Sequence, residues 1–214
     1  VIVAGGSGTR MGSATPKQFL PLHGKPVLIH TVKQFITTLG NPHLIVVAPE
    51  NFLSHTEELL QQSGIQSYEL TYGGDTRFGS VRNGLGFVKD HGIVFIHDAV
   101  RPLVSKTLIE RCHKGALESG TAVPVVPAVD SLRLKADGTL NVLDRDNVFL
   151  VQTPQTFQSE IILDAFNQSY RPAFTDEATV VEMRGTKINF VEGDPNNIKI
   201  TRPADLQLAH ALLG

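Results

Sequence analysis

Short β-branched runs and amphipathic helical stretches alternate along the first 120 residues. VIVAGG (1–6) reads as a buried strand closed by a glycine turn, HLIVVAPE (43–50) as a second strand, IQSYELTYGG (65–74) as a third, and GIVFIHDAVRP (92–102) as a fourth that breaks at His97-Asp98. Between them, PVLIHTVKQFITTLG sets Leu28, Val32, Phe35, Ile36 and Leu39 on one helical face, with Pro26 at its start and Gly40 at its stop. FLSHTEELLQQSG (52–64) and TRFGSVRNGLGFVKDHG (76–92) have helical spacing, and SKTLIERCHKGALESG (105–120) opens on a Ser cap. Parallel strands need a crossover of about a dozen residues or more, usually a helix, so this alternation calls for a mostly parallel sheet with helices on both faces.

The second half changes character. Residues 121–157 have no helical period, and Asp137-Gly138 separates two alternating runs, SLRLK and TLNVL, as in a hairpin. A two-stranded arm over about 130–150 is expected to leave the sheet, and a lone hairpin is marginal in water, so a second subunit is its expected support. Helices resume at SEIILDAFNQS (159–169) and TDEATVVEMRG (175–185), followed by a last strand INFVEGD and a last helix ADLQLAHALLG. The expected architecture is one α/β Rossmann-like domain over residues 1–214, a mostly parallel twisted sheet with a protruding β-hairpin arm for dimerisation.

Composition narrows the class of partner. Lys+Arg total 19 against 21 Asp+Glu, a net charge of −2, so no overall basic excess points to nucleic acid and any cationic site must be local. No apolar run reaches the ~18–20 residues of a membrane span. Cys112 is the single cysteine and shares a helical stripe with Leu108, Ile109 and Ala116, which reads as core packing in a reducing compartment. The eight histidines show no zinc spacing such as H-E-x-x-H. No signal peptide is visible, and a cytoplasmic location is expected; the start inside a strand, without an initiator Met, leaves a plastid form with a longer leader open.

The opening VIVAGGSGTRMGSATPKQF combines a glycine turn with Arg10 and Lys17. It is not Walker A, and G-x-G-x-x-G starts at Gly6 and Gly8 but fails at Met11, so neither a P-loop nor a dinucleotide fingerprint is present. The loop chemistry remains: glycines let backbone N–H groups converge on an anion at a strand's carboxyl end, Arg10 offers a planar fork and Lys17 a mobile charge. The alternative is a tight turn with two solvated cations. A nucleoside triphosphate fits the whole motif better.

The stretch A-G-G-x-G-T-R-M-G…P-K-Q-F resembles the opening of the sugar-nucleotide pyrophosphorylase-type nucleotidyltransferases, and its P-K-Q-F ending resembles the 2-C-methyl-D-erythritol 4-phosphate cytidylyltransferase family of the non-mevalonate isoprenoid pathway. GGDTRFGSVRNGL (73–85), HDAVRP (97–102), QTPQTF (152–157), TDEA (175–178) and NNIKITRPADL (196–206) resemble that family's further blocks in the same order. The resemblance implies CTP and a polyol phosphate as substrates, Mg²⁺ as cofactor, and a homodimer with shared sites. It implies catalytic roles for Arg10, Lys17, Arg145 and Lys199, with Arg145 reaching the partner's site. CTP would meet Ala4, Gly5, Gly6, Gly8, Gly74, Asp75, Ser80 and Asp98; the acceptor would meet Arg101, Ser131, Thr153 and Thr175.

Each assignment has a plainer structural counterpart. Asp75 could be a helix cap and Ser80 a polar-face residue. Asp98 could approach Mg²⁺ through water, hold a hydroxyl, or pair with Arg101 across a turn. Arg145 could be solvated on the hairpin. In TDEA, Thr175 could cap a helix whose first turn holds Asp176 and Glu177. Lys199, between Ile198 and Ile200, reads as the outward residue of an alternating strand, and His97 as a packing residue. Other readings of the chain are a cytidylyltransferase for another acceptor such as ribitol 5-phosphate, a non-catalytic nucleotide-binding relative, and an NAD-dependent oxidoreductase, which the failed fingerprint disfavours.

Overall fold

The computed structural model describes residues 1–5 and 15–213. An eight-stranded sheet runs through it. Its parallel half is β1 (Ile2–Val3), β4 (Ile45–Ala48), β5 (Glu69–Tyr72) and β6 (Ile93–Asp98), in the spatial order β6-β1-β4-β5. The missing numbers, β2 (Pro21–Leu22) and β3 (Lys25–Pro26), form a small separate hairpin. The chain winds outward from β1 through β4 to β5, then returns to β6 on the other side of β1. That reversal opens a crevice at the carboxyl ends of the strands, where open α/β sheets bind ligands.

The helices fall on both faces, as the alternation requires. On one side lie α1 (Val27–Leu39), α2 (Leu53–Gln62) and α4 (Lys106–Ser119), whose Leu28, Val32, Phe35, Leu60, Leu108, Ile109, Cys112 and Ala116 share one core. On the other lie α3 (Arg77–Leu85), α5 (Ser159–Ala165) and α6 (Glu177–Met183), joined through Phe78, Val81, Ile162 and Val181. The last helix, α7 (Pro203–Leu213), packs with Leu22, Val27 and Ile200 in a third, smaller core. The start of α1 follows Pro26, and Gly40 ends it at φ +67°, a left-handed value that favours glycine. Ser105 caps α4 by accepting the Leu108 N–H. Cys112 is buried, and burial pushes its thiol up to about 12, as befits a core residue.

Two expectations need correction. The stretch 76–92 is helical only over Arg77–Leu85, because Gly86 and the segment after it form turns. The segment around Lys199, 197–203, is not a strand. The sheet also contains an antiparallel member that the pattern does not reveal: β11 (Gln155–Gln158) lies between β6 and β7 (Thr121–Pro127). β7 further pairs antiparallel with β10 (Phe149–Val151) and parallel with β12 (Phe190–Glu192).

The hairpin arm is present as β8 (Leu132–Ala136) and β9 (Thr139–Leu143). Its turn places Asp137 at φ +49° and Gly138 at φ +78°, the two positive values that the Asp-Gly signal anticipates. The arm forms its own two-stranded sheet.

Candidate active site

A cavity of about 500 Å³ lies at the carboxyl ends of β1, β5 and β6. Of the expected residues it brings together Ala4, Gly5, Lys17, Gly74, Asp75, Ser80, Asp98 and Lys199, and Arg77 joins them. Gly6, Gly8 and Arg10 lie outside the described residues.

The floor is glycine because two chain segments meet there. A Cβ on Gly73 would stand 3.0 Å from Ser80 Oγ and 3.4 Å from Gly5 Cα. Ser80 is buried, and its hydroxyl serves the backbone: it accepts the Gly74 N–H at 3.1 Å and donates to the Thr76 carbonyl at 3.0 Å. Thr76, rather than Asp75, caps α3 by accepting the Gly79 N–H. Asp75 is left at the exposed rim of the cavity.

Lys17 is positioned by its neighbours in P-K-Q-F. Residues Lys17–Phe19 form one 3-10 turn after Pro16. Gln18 is buried beneath it and donates from Nε2 to the Ala4 carbonyl at 2.7 Å, which ties the turn to the end of β1. Phe19 stacks on Phe52 with centroids 5.2 Å apart, and burying such a ring is worth about 1.5–3 kcal/mol. Lys17, just ahead of these two anchors, faces the cleft.

Asp98, at the end of β6, is the electrostatic centre. Its Oδ1 accepts from Arg77 at 2.5 Å, while its Oδ2 lies 3.2 Å from Arg101 Nε and 2.9 Å from Lys199 Nζ. Burial opposes ionisation of Asp98, but Arg77, Lys199 and Arg101 outweigh it and hold the carboxyl well below the usual carboxylate range. Arg77 also grips Glu177 with two parallel bonds, Nε to Oε1 and Nη2 to Oε2, both 2.9 Å. Burial works against the charge on Arg77, and the two carboxylates more than offset it, raising its pKa. Burial also pushes the Glu177 carboxyl up, against the pull of Arg77.

Asp98 therefore does not fit a resident Mg²⁺ site, because both its oxygens already face cations. Among the described residues no group of three or more His, Cys, Asp or Glu side chains stands in metal-holding positions.

His97 packs on Phe35, as expected, and also braces the site. Its Nε2 faces the Arg101 carbonyl at 3.2 Å and so carries the proton; its Nδ1, 3.0 Å from Thr153 Oγ1, accepts from that hydroxyl. Burial drives its pKa down to about 3, so the ring is neutral. Thr153 Oγ1 in turn accepts the Asp98 N–H at 3.1 Å. Thr153 is thus buried behind the cleft wall instead of lining it.

Lys199 reaches Asp98 without a strand. Asn197 is buried and donates from Nδ2 to the Thr153 carbonyl at 2.8 Å, while its own carbonyl accepts from Arg101 at 2.8 Å. The Ile200 N–H bonds the Val100 carbonyl at 2.9 Å, and the Ile200 side chain is buried. Those fastenings orient Lys199 toward the cavity.

The remaining expected residues lie apart. Arg145 is exposed in a 3-10 turn (Arg145–Asn147), donating to the Val129 carbonyl at 2.9 Å. Ser131 is exposed at the root of the arm. Thr175 is exposed ahead of α6, whose cap is Asp176, accepting the Thr179 N–H at 2.9 Å. Sequence reasoning overlooked Arg77 and Gln18 and set Glu177 aside as a first-turn acid. Gln155 was overlooked too: it donates to Asp176 Oδ2 at 2.9 Å and accepts the Ala178 N–H at 2.7 Å, bracing the helix that carries Glu177.

A glycine floor and cations gathered at the switch point of the sheet's parallel half mark an α/β protein whose cleft suits the phosphates of a nucleotide. The family model described as 2-C-methyl-D-erythritol 4-phosphate cytidylyltransferase matches residues 1–214. Relatives bearing that description include those of Bacteroides fragilis, 43% identical over 100% of this chain and 98% of that protein, and of Phocaeicola vulgatus, 40% identical with the same coverage. Among solved structures, that of the Thermus thermophilus cytidylyltransferase aligns with a TM-score of 0.77 at 29% identity, covering 99% of this chain and 96% of that one. The 4-diphosphocytidyl-2C-methyl-D-erythritol synthase of Anaerococcus prevotii shares the fold with a TM-score of 0.84 at 24% identity, covering 99% and 95%. The chain belongs to the 2-C-methyl-D-erythritol 4-phosphate cytidylyltransferase family, and it is a nucleotidyltransferase.

Proposed function

We propose that the chain transfers the cytidylyl group of CTP to 2-C-methyl-D-erythritol 4-phosphate, forming 4-diphosphocytidyl-2-C-methyl-D-erythritol and releasing pyrophosphate. The observation that carries this reading is the placement of Lys17 and Lys199 around a glycine-floored cleft at the sheet's switch point. The attacking group is a phosphate monoester, whose second pKa near ~6 leaves it mostly ionised at neutral pH. No general base is needed, and His97, neutral and with both nitrogens engaged, is not placed to be one. Catalysis then rests on positioning and charge stabilisation.

Lys17 and Arg10 stabilise charge on the α-phosphate and the departing pyrophosphate. Lys199 holds the acceptor phosphate, with Arg101 behind it. Backbone at Ala4 and Gly5 cradles the nucleotide, a role in which the family resemblance also includes Gly6 and Gly8, and Gly74 with Asp75 meets the base. Mg²⁺ enters as part of the substrate, carried on the triphosphate of MgCTP.

The arm supports a homodimer whose partner is a second copy of the chain. Leu134 and Leu143 share one face of it and Leu140 and Val142 the other, all exposed. In that dimer Arg145, Ser131 and Thr175 complete the acceptor side, Arg145 across the two-fold axis. Among the described residues no helix is long and apolar enough to cross a membrane. A cytoplasmic location accords with the bacterial relatives named above, which give no support to a plastid form.

Pyrophosphate release with CTP, Mg²⁺ and a panel of polyol phosphates tests the reading. Turnover is expected with CTP and 2-C-methyl-D-erythritol 4-phosphate. Equal release from ATP or GTP, or with ribitol 5-phosphate, overturns it.

A further inference from the structure

We infer that Arg77 is a positioning residue that lets Lys199 pass from Asp98 to the acceptor phosphate, and that Glu177 holds the Arg77 guanidinium in the orientation this requires. The inference rests on the proposed role of Lys199 as a phosphate ligand.

The three cations on Asp98 are not equivalent. Arg77 and Arg101 are largely covered, with side chains 26% and 11% exposed, whereas Lys199 is 43% exposed. Arg101 is further pinned by the Asn197 carbonyl, and Arg77 by the two oxygens of Glu177. Lys199 is the long, flexible member, and it borders the cavity. An incoming phosphate can draw it away only if Asp98 is not left bare, since a buried, unpaired carboxylate is costly. Arg77 removes that obstacle by compensating Oδ1 while held by Glu177, and Arg101 keeps its place on Oδ2.

Glu177 has the complementary task. Its side chain is 1% exposed, and it occupies two of the five guanidinium N–H groups. The remaining Nη1 is thereby aimed at Asp98. One guanidinium thus joins the first residue of α3, the end of β6 and the first residue of α6. Without it, Asp98 would hold Lys199 more tightly, and the lysine would reach the phosphate less often.

The test is steady-state kinetics over both substrates. Five proteins are compared: wild type, Arg77→Gln with Glu177→Gln, Lys199→Ala, the triple variant, and Arg77→Lys. The double variant removes both charges together and avoids a bare Glu177. It should raise KM for 2-C-methyl-D-erythritol 4-phosphate by about tenfold, the worth of one charge-assisted contact, with KM for CTP little changed. In the Lys199→Ala background the same pair of changes should add little, because the lysine it liberates is gone. Arg77→Lys, with Glu177 intact, should restore part of the acceptor KM.

Equal penalties in the presence and absence of Lys199 overturn the inference, as does a rise in both KM values together. If neither the double variant nor Arg77→Lys folds, by circular dichroism and cooperative melting, the pair is structural and the inference fails. An unchanged acceptor KM in Lys199→Ala alone instead removes the phosphate-binding role of Lys199, which is a separate failure.

Discussion

In the cleft, Arg77, Asp98, Arg101, Glu177 and Lys199 compensate one another within a single subunit, and covered glutamine, threonine and asparagine side chains fasten the backbone around them. In the arm, Leu140 and Val142 stand 66% and 74% exposed, and among the described residues its two strands form a sheet of their own. The charges of the cleft are compensated from inside the chain, although the buried Asn197 Oδ1 has no hydrogen-bond partner among the described residues. The arm leaves apolar surface uncovered by the described residues of its own chain. The charged cluster is built at the ends of the central sheet's strands, while the exposed apolar side chains stand on the separate two-stranded arm.

The largest expected effect lies in the cleft. Lys17→Ala should lower kcat by ~10²–10³, the usual cost of losing one preorganised charge stabiliser, with the circular dichroism spectrum unchanged. Arg10→Ala should do the same. Near wild-type turnover, or simple unfolding, removes the residue from the mechanism and weakens the contrast with the arm.

A second test probes how firmly the cleft wall is sealed. The His97 pKa is about 3 in the folded protein, against about 6.5 for an unperturbed histidine. Between those values the unfolded chain binds the extra proton. Stability contributed by neutral His97 is therefore full above pH ~6.5 and is lost as pH falls toward the folded value, by up to ~1.4 kcal/mol per pH unit. Urea unfolding from pH 7.5 to 5 should show this slope, and His97→Asn should flatten it relative to wild type. Parallel slopes would mean that His97 protonates freely and that the wall is open to water.

The smallest effect concerns the arm, and it sharpens the comparison most directly. Arg10→Ala and Arg145→Ala, refolded as an equal mixture, form mixed dimers in half the cases. If Arg145 acts across the dimer, each mixed dimer keeps one intact site. About a quarter of wild-type activity returns when sites act independently. If Arg145 serves its own subunit, every site carries a lesion and mixing restores nothing. A monomer by sedimentation ends the idea.

Much of the parallel core was legible in the sequence because side-chain period reports local geometry directly. Pro26 and Gly40 bounded α1, Ser105 capped α4, and Asp137-Gly138 marked the arm. What escaped depends on partners distant in the chain. Strand direction leaves no mark in four residues such as Gln155–Gln158, so the antiparallel β11 was invisible. The Ile198-Lys199-Ile200 alternation imitated a strand, whereas Asn197 and the Val100 carbonyl set that segment's path. Thr175 and Asp176 are both good caps, and Gln155 accompanies Asp176. Glu177 looked like a solvated first-turn acid because its partner, Arg77, is 100 residues away.

The Ala128 N–H bonds the Val148 carbonyl at 2.9 Å, and Phe149 pairs with Pro127, so the arm leaves and re-enters the sheet at one doorway. Residues added or removed beyond that doorway displace no strand of the core. The arm can lengthen, shorten or exchange its apolar face over evolutionary time while the cleft keeps its register. The register that sets the cleft is thereby independent of the arm's length and surface.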